Sequence, residues 1–189
     1  MTDVAAYIPD YVKCVFDTLQ QNGREGYLVG GSLRDILRGI APNDFDMTTN
    51  ATPDEMLQIF QGWRVIPTGL KHGTVTVLSD GHPIEITTHR TDGTYSDSRH
   101  PDEVTFTTSL AEDLARRDFT VNAMAFCEKT GLVDLFGGIA DLQNGILRAV
   151  GEPEKRFSED ALRILRCYRF AAQKNSRAYA HALFIDNLY

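Results

Sequence analysis

Two acidic residues one position apart follow a glycine-containing turn near the start of the chain. The segment Gly30-Gly31-Ser32-Leu33-Arg34-Asp35 precedes Asn43-Asp44-Phe45-Asp46. Residues i and i+2 of a strand project from the same face, so Asp44 and Asp46 can approach one metal cluster while Phe45 points into the core. Glycines at a helix start expose backbone N–H groups, which bind phosphate. The arrangement indicates a site for a triphosphate and divalent metal ions.

The two aspartates are the strongest chemical signal in this segment. Mg²⁺ prefers oxygen ligands, and two-metal phosphoryl transfer needs acidic side chains that bridge ions roughly 3.5 to 4 Å apart. An isolated pair of this spacing is more often a turn acid followed by a solvated strand acid. Arg34, ten residues before Asp44 and just past the glycine turn, favours the metal interpretation. Gly30-Gly31 by itself is equally consistent with an ordinary strand-to-helix turn, and it lacks the Gly-Lys-Ser/Thr of a Walker A loop.

The composition indicates a globular protein of one domain with part of a second. The chain has 189 residues, of which 42% are hydrophobic and 24% charged. No stretch approaches the roughly 18 apolar residues of a membrane span, and the start lacks a signal peptide, so we expect a cytoplasmic protein without a membrane partner. Cys14, Cys127 and Cys167 form no CxxC pair, which argues against a disulfide framework and a thiolate metal site.

The charged residues argue against a protein that coats nucleic acid and favour one with local contacts to phosphate or bases. A formal net charge of -7 argues against a protein that coats nucleic acid with its whole surface. Fourteen of the 19 cationic residues are arginine, whose forked guanidinium suits phosphate groups and base edges. They concentrate at positions 116–117 and 156–169, so local contacts with nucleotide or RNA stay open.

Hydrophobic spacing and capping residues predict an alternation of helices and strands. The pattern predicts an amphipathic helix from Ile8 to Leu19 and a strand at 27–29 that enters the glycine turn. Ser32 is predicted to cap a helix that runs to about Gly39, with Asp35 at the capping-box position. Further predicted elements are a helix at 53–60, a hairpin at 74–88, a polar loop at 91–103, a strand at 104–107, a mostly helical segment at 110–126, a strand at 132–136 and a helix from 158 onwards.

Three further sets of polar residues each allow two interpretations. Glu85 lies on the predicted hairpin and is either a third carboxylate of the site or an exposed strand residue. Arg116-Arg117 is either a solvated helix face or a contact for phosphate and ribose. Asp160 and Arg163 are three residues apart on the predicted C-terminal helix, where they either pair with each other or present acceptors and donors to a base edge.

Six segments resemble, in order, the class II nucleotidyltransferases, the family of bacterial tRNA CCA-adding enzymes and poly(A) polymerases. They are GGSLRD, DFDMTT, KHGTVTV, EITTHR, LARRDFTVNAMAF and EDALRILRCYRFA, within residues 27–172. The resemblance implies an α+β fold, a polymerase-β-like nucleotidyltransferase head with a mixed or antiparallel sheet flanked by helices. It implies that this head occupies residues 1–150 and that the start of an all-helical neck, truncated relative to the family, occupies residues 151–189.

The resemblance also implies roles for individual residues. In the family, a carboxylate pair binds two Mg²⁺ ions, and a neck helix selects the base without a nucleic-acid template. The matched residues are Gly31 and Arg34 for the triphosphate, Asp44 and Asp46 for the catalytic metals, Arg117 for a nucleotide contact, Asp160 and Arg163 for reading the base of CTP or ATP, and Arg166 and Arg169 for further nucleotide contacts on the same helix.

The expected activity is template-independent addition of CMP and AMP, from CTP and ATP, to the 3′ end of tRNA with release of pyrophosphate. Segment 69–74 resembles the CCA-adding branch, and the loop at 92–101 resembles the flexible loop of enzymes that complete the CCA sequence. Poly(A) polymerase activity and a non-catalytic nucleotide-binding module are the alternatives. After Ala172 the sequence departs from the family pattern, so we expect most of the tRNA-binding surface to be missing, and oligomerisation is left open.

Overall fold

Helices and strands alternate along the chain in the structure, a computed structural model that describes residues 2–93 and 103–173. Single-turn 3-10 helices span Ala5–Tyr7, Leu70–His72 and Thr120–Asn122. The α-helices are α1 Asp10–Gln21, α2 Gly30–Leu37, α3 Pro53–Ile59, α4 Leu110–Ala115, α5 Gly138–Asn144, α6 Pro153–Glu159 and α7 Leu162–Gln173. The strands are β1 Gly26–Val29, β2 Phe45–Thr49, β3 Arg64–Gly69, β4 Thr74–Ser79, β5 His82–Thr88, β6 Arg90–Asp92, β7 Val104–Phe106, β8 Met124–Cys127 and β9 Gly131–Asp134.

Seven strands form one mixed sheet in the order β3-β4-β5-β2-β1-β8-β9. β2 and β5 pair in parallel, whereas the other neighbouring strands pair antiparallel. β6 and β7 form a separate antiparallel ribbon. The mixed sheet with its flanking helices confirms the predicted α+β class.

The two faces of the sheet have different surroundings, because successive strand residues point to opposite sides. On one face, Phe45 and Met47 of β2 pack in the main hydrophobic core with residues of α1, α2 and α3. On the other face, Val29 of β1 and Leu114 of α4 share a smaller apolar cluster. Asp46, which lies between the two core residues of β2 and opposite Val29, therefore projects from the face that carries α4.

A third apolar cluster attaches α7 to the rest of the chain. Phe170 of α7 contacts Phe119 edge to face, with ring centroids 5.8 Å apart and an interplanar angle of 88°. Val121 and Leu147 complete the buried part of this cluster. The contact brings the arginines of α7 next to the segment that follows α4.

Several predictions that rest on local signals are confirmed. Thr52 caps α3 in a reciprocal capping box with Glu55. β4 and β5 form the predicted hairpin, whose turn is Asp80-Gly81 with φ angles of 48° and 78°. Two left-handed residues suit a two-residue hairpin, because they match the twist of the flanking strands.

The predicted start of α2 is wrong. The helix begins at Gly30, whose φ is 70°, so Ser32 lies inside the first turn. The Ser32 hydroxyl donates to the Val29 carbonyl oxygen at 3.0 Å instead of accepting a bond from a helix N–H group. Asp35 pairs with Arg34 in place of a capping box.

The predicted long helix at 110–126 is also wrong. α4 ends at Ala115, and residues 124–127 form β8, which pairs with β1 on one side and β9 on the other. Burial of a strand between two neighbours overrides the helical spacing of its apolar residues, because sheet propensity depends on tertiary context. Arg116 and Arg117 therefore lie after a short helix, not on the face of a long one.

The polar loop expected at 91–103 is wrong at its start, because residues 91 and 92 belong to β6 and pair with β7. Most of the remaining expected loop lies outside the described residues. The expected domain boundary stays a prediction. The boundary expected between residues 150 and 151 precedes α6, which begins at Pro153. Within residues 2–93 and 103–173, no helix has the length and apolar character needed to cross a membrane.

Candidate active site

A cleft of about 820 Å³ lies where β1, β2, the segment after α4 and α7 meet. The structure brings the predicted metal, triphosphate and base-reading residues together there. All of the predicted site residues line it: Gly31, Arg34, Asp44, Asp46, Arg117, Asp160, Arg163, Arg166 and Arg169. Gly30, His72, Asn122 and Phe170 are among the further lining residues.

The carboxylate end of the cleft is formed by the start of β2. Asp44 directly precedes the strand, and Asp46 is its second residue, opposite Glu85 of β5 in the parallel register. Burial, and then the nearby charges of Glu85 and Asp44, raise the pKa of Asp46. Arg117 acts in the opposite direction. Asp46, Glu85 and Asp44 place three carboxylates here against the one guanidinium of Arg117, so this end of the cleft favours a bound cation.

The chemistry of these donors fits Mg²⁺, which prefers oxygen and often takes only one or two carboxylates from the protein. Asp44 and Asp46 would be those carboxylates. In the part of the chain that the structure describes, no three His, Cys, Asp or Glu side chains are arranged as a complete metal site. The remaining ligands would therefore be phosphate and water. Glu85 adjoins Asp46 in the sheet but is not among the residues that line the cleft.

Gly30 lies beside the charged groups at this end. Its φ of 70° is a left-handed conformation, which glycine adopts without strain. A Cβ atom at this position would lie 3.7 Å from Arg117 Nη1 and 3.7 Å from Asp46 Oδ2. The absence of a side chain therefore leaves room for a bound phosphate next to both groups.

We expect Gly30→Ala to weaken nucleotide binding roughly tenfold or more, because the added methyl group occupies this space. It should also destabilise the fold by about 1–2 kcal/mol, since other residues are strained at this φ. Gly23→Ala is the matched control, because Gly23 has a φ of 72° and a Cβ there would meet no atom within 4 Å. Calorimetry and thermal unfolding should show similar stability losses but a binding loss for Gly30→Ala alone; equal binding losses would contradict the assignment.

The guanidinium of Arg34 in α2 contacts three other side chains. Its Nη1 donates to Asn122 Oδ1 at 2.7 Å, and its Nε donates to Asp35 Oδ1 at 3.1 Å. The guanidinium carbon lies 5.0 Å from the centre of the Phe170 ring. Arg34 Nη2 is 3.5 Å from the point where a Cβ of Gly31 would stand. A guanidinium fixed in this way beside a helix N-terminus is preorganised to bind phosphate.

A chain of polar contacts runs from Asn122 to α7. Asn122, which accepts from the α2 arginine, donates through Nδ2 to Asp118 Oδ1 at 3.1 Å. Arg166 Nη2 lies 2.7 Å from Asp118 Oδ2. Arg166 and Arg169 also flank the Phe170 ring, with guanidinium carbons 6.0 and 5.6 Å from its centre. The triphosphate side of the cleft and α7 are thus connected by side chains.

Asp160 and Arg163 both line the cleft, but they do not share a helix, contrary to the prediction. Asp160 is extended, with φ -141° and ψ 103°, and lies between α6 and α7. Its Oδ1 accepts from the Leu162 N–H at 2.9 Å, so the carboxylate satisfies a free donor at the start of α7. Asp160 Oδ2 is still 4.0 Å from Arg163 Nε. The Asp160 carboxylate, between α6 and α7, therefore lies near the Arg163 guanidinium of α7.

Arg163 is fixed by several acceptors. Its Nη1 donates to Glu159 Oε2 at 2.8 Å and to the Arg156 carbonyl oxygen at 2.9 Å. Its Nη2 approaches the Arg116 carbonyl oxygen at 3.5 Å. The Arg163 side chain is 7% exposed and that of Asp160 is 20% exposed, so Asp160 is the more accessible member of the pair.

Arg116 and Arg117 share one buried carboxylate, that of Asp113 in α4. Arg116 donates through Nε and Nη2 at 3.0 and 2.7 Å, and Arg117 donates through Nη2 at 3.0 Å. Burial by itself would raise the pKa of Asp113, but the charges of Arg117 and Arg116 and their hydrogen bonds lower it to about 2. Asp113 is therefore ionised at all ordinary pH values.

These ion pairs predict a loss of stability in acid. Because the folded pKa of about 2 lies below the usual 3.8, the contribution of Asp113 is complete above about pH 4 and decreases as the pH falls towards 2. Urea unfolding should give a free-energy difference between the unchanged chain and Asp113→Asn that is constant down to about pH 5 and smaller below about pH 4. A constant difference down to about pH 2 would contradict this assignment.

The sequence did not reveal three residues that hold the site together. Asp113 carried one usable signal, because it precedes Arg116 and Arg117 by three and four residues, the spacing of ion pairs in helices. Asn122 and Phe170 lie within two of the segments that resemble the family, but no local pattern linked them to Arg34, which is 88 residues from Asn122.

Most of the chain matches a known protein family. Residues 26–148 match the family model described as Poly A polymerase head domain. The chain belongs to this family. The matched part of the Poly A polymerase head contains the glycine turn, both aspartates and the two arginines after α4, whereas α6 and α7 lie beyond it.

Relatives of the chain are CCA-adding enzymes, which confirms the predicted family. The chain is 52% identical over 161 residues to the CCA-adding enzyme of Levilactobacillus brevis, a match that covers 85% of this chain and 40% of that enzyme. It is 50% identical over 169 residues to the CCA-adding enzyme of Ligilactobacillus salivarius, covering 88% of this chain and 41% of that enzyme. The chain thus spans about two fifths of the length of these relatives.

Solved structures of the same family share the fold. The Bacillus stearothermophilus CCA-adding enzyme in complex with CTP matches with a TM-score of 0.80 and 42% identity, covering 94% of this chain and 41% of that one. The Thermotoga maritima CCA-adding enzyme complexed with tRNA matches with a TM-score of 0.73 and 26% identity, covering 96% and 42%. The predicted nucleotidyltransferase head fold is therefore confirmed.

Proposed function

We propose that this chain carries the catalytic and nucleotide-selecting part of a template-independent RNA nucleotidyltransferase, which adds CMP and AMP from CTP and ATP to the 3′ end of tRNA. The observation that carries the proposal is the convergence of two carboxylates, phosphate-binding arginines and the Asp160–Arg163 pair on one cleft. Relatives that are CCA-adding enzymes, one with CTP bound and one with tRNA bound, support it. Residues 1–150 would form the head and residues 151–189 the start of the neck.

Asp44 and Asp46 would hold two Mg²⁺ ions at the carboxylate end of the cleft. When bound, such ions activate the attacking 3′-hydroxyl and neutralise charge on the leaving pyrophosphate. The role of the protein at this end is to position its own groups. β2 projects Asp46 into the cleft, and the left-handed backbone of Gly30 keeps the space beside it open.

Arg34 and Arg117 would bind the triphosphate from two sides of the glycine turn. Both guanidinium groups are already fixed by protein side chains, so they stabilise the charge of the transferring phosphoryl group without reorganising. The backbone N–H groups at the start of α2 would add to this binding, since a helix N-terminus favours anions. Gly31 permits the close approach that such contacts need.

Asp160 and Arg163 would read the base. A carboxylate accepts a hydrogen bond from the amino group that cytosine and adenine share, and a guanidinium donates to ring nitrogen and oxygen acceptors. Uracil and guanine present a carbonyl oxygen in place of that amino group, which a carboxylate repels. Arg166 and Arg169, on the same helix, would complete the nucleotide contacts.

Addition of each nucleotide in turn to a tRNA that ends before CCA tests the proposal. With CTP alone we expect C to be added, with ATP alone no addition, and with both a complete CCA end. A poly(A) polymerase, the other activity associated with this family, would add A from ATP alone and nothing from CTP. Absence of incorporation at high enzyme and tRNA concentrations, with CTP and ATP still bound, would contradict catalysis and leave the chain as a nucleotide-binding module.

A further inference from the structure

The Asp113 carboxylate in α4 is a buried junction of five hydrogen bonds outside the cleft wall. Oδ1 accepts from Arg116 Nε and Nη2 and from the Arg90 N–H, the last at 3.3 Å. Oδ2 accepts from Arg117 Nη2 at 3.0 Å and from the Thr48 hydroxyl at 3.2 Å, whose single hydrogen is shared with the Thr87 carbonyl oxygen at 3.1 Å. The Asp113 side chain is 0% exposed. One carboxylate of α4 thus contacts the segment after this helix, β2 and the start of β6.

A carboxylate in this position is costly unless it is fully paired, because burial removes its hydration. Two guanidinium groups supply the pairing here, and they are the two arginines that line the cleft beyond α4. Arg116, with φ -80° and ψ -8°, is the C-cap of α4, and Arg117 lies beyond the helix, where helix geometry no longer sets the direction of its side chain. The bond to Asp113 sets it instead.

The geometry of Arg117 shows what this bond achieves. Its Nη2 is bound to Asp113, while its Nη1 lies near Gly30, 3.7 Å from the point where a Cβ would stand. Asp46 Oδ2 lies at the same distance from that point. Since opposite charges attract, Arg117 without Asp113 would move towards Asp46 and pair with it directly. Thr48, the other donor to Asp113 Oδ2, lies two residues from Asp46 on β2. Its hydrogen bond therefore connects Asp113 to the strand that carries Asp46.

We propose that Asp113 is a positioning residue for nucleotide binding, an inference that rests on the proposed function. Asp113 holds the Arg117 guanidinium away from Asp46. One edge of that guanidinium would then face the triphosphate, and the Asp46 carboxylate would stay available to a cation. Arg116 binds the same Asp113 carboxylate and lines the adjacent part of the cleft. Loss of Asp113 therefore acts on nucleotide affinity through Arg117, and not through the stability of the fold.

Calorimetric titration of the full 189-residue chain with CTP in the presence of Mg²⁺ tests this role. We expect Asp113→Asn to raise the Kd for CTP by about tenfold to a hundredfold, the scale of one charge-assisted hydrogen bond. Asp141→Asn is the matched control. Asp141 is 5% exposed and accepts from Thr120 Oγ1 and from Arg148, but it lies outside the cleft. Both variants should lose thermal stability, and only Asp113→Asn should lose affinity.

A double-mutant cycle separates positioning from general damage. In an Arg117→Ala background, Asp113→Asn should raise the Kd for CTP no further, whereas a reduced cost in thermal stability should remain through the pair with Arg116. An additional rise of the same size in that background would overturn the inference, because Asp113 would then act independently of Arg117. An unchanged Kd in Asp113→Asn alone would overturn it as well.

If Asp113→Asn fails to fold, Thr48→Val provides the second test. Valine has nearly the shape of threonine and removes one donor to Asp113 Oδ2, so we expect a smaller rise in Kd that disappears in the Arg117→Ala background. A rise that persists there, or none at all, would overturn the positioning role. Absence of CTP binding by the unchanged chain would instead contradict the proposed function, and with it this inference.

Discussion

Replacing Asp46 by asparagine is expected to reduce CMP incorporation at least about a thousandfold while leaving the fold as stable as before. The rate should fall because a charged ligand of the metal is lost. Metal ions stabilise the transition state by several kcal/mol, and each 1.36 kcal/mol added to the activation barrier slows the reaction about tenfold. Stability is retained because burial and neighbouring carboxylates raise the pKa of Asp46, which means that its negative charge is less favourable in the fold than in the unfolded chain. Initial rates and unfolding temperatures measure the two effects separately.

Asp17→Asn is the control for this substitution. It removes the same charge from an exposed position on α1, away from the cleft, so both rate and stability should be unchanged. Two results would contradict the metal assignment of Asp46. One is a rate above a tenth of the original in Asp46→Asn. The other is a loss of unfolding temperature large enough to account for the missing activity.

Replacing Arg34 by lysine is expected to weaken CTP binding about thirtyfold, or about 2 kcal/mol, on the scale of a hydrogen bond between charged groups. The charge is kept, but an ammonium group lacks the fork that lets Arg34 bond Asn122 and Asp35 while facing a phosphate. The contact with the Phe170 ring is also weakened, since a planar guanidinium packs on an aromatic face better than an ammonium does. Calorimetry with CTP measures the loss.

Arg38→Lys is the matched control for Arg34→Lys. Arg38 follows one turn later, also lies near Asp35, at 3.9 Å, and does not line the cleft. We expect its replacement to leave CTP affinity unchanged. Equal losses of affinity in the two variants would show that the charge balance around Asp35 matters and that the fork of Arg34 does not.

The elements that could be predicted from the sequence are those whose bonds are local. The capping box of Thr52 and Glu55 lies within four residues, and the hairpin turn Asp80-Gly81 needs only two left-handed residues. The alternation at the start of β2 was also predictable, because Phe45 is buried while Asp46 faces the cleft. Each of these signals acts within one element and is unaffected by the rest of the chain.

The elements that were missed or predicted wrongly depend on distant partners. β8 has apolar residues at a spacing that also suits a helix, and its pairing with β1 and β9 decides the outcome. β3, at Arg64–Gly69, was not predicted, because Pro67 is unfavourable inside a sheet. It is tolerated because β3 forms the edge of the sheet and its register with β4 shifts between Ile66 and Gly69.

The same division applies to the candidate site. The order of the short segments was enough to predict which residues line the cleft. Asn122 and Phe170, which fix Arg34, could not be predicted, because folding brings them close to it from distant parts of the chain. Asp113 carried the local signal of its helical spacing to Arg116 and Arg117, but its complete burial depends on the fold. The helix break at Asp160 was missed for a related reason, since a residue that caps a helix has the same sequence spacing as one inside it.

Titration of the chain with CTP, ATP, UTP and GTP in the presence of Mg²⁺ tests the central claim most directly, because it requires the cleft alone and no RNA. We expect CTP and ATP to bind, and UTP and GTP to bind at least about tenfold more weakly, since Asp160 in its proposed role would accept from an amino group that only cytosine and adenine present at that position. Equal affinity for all four nucleotides, or binding of none, would contradict the account.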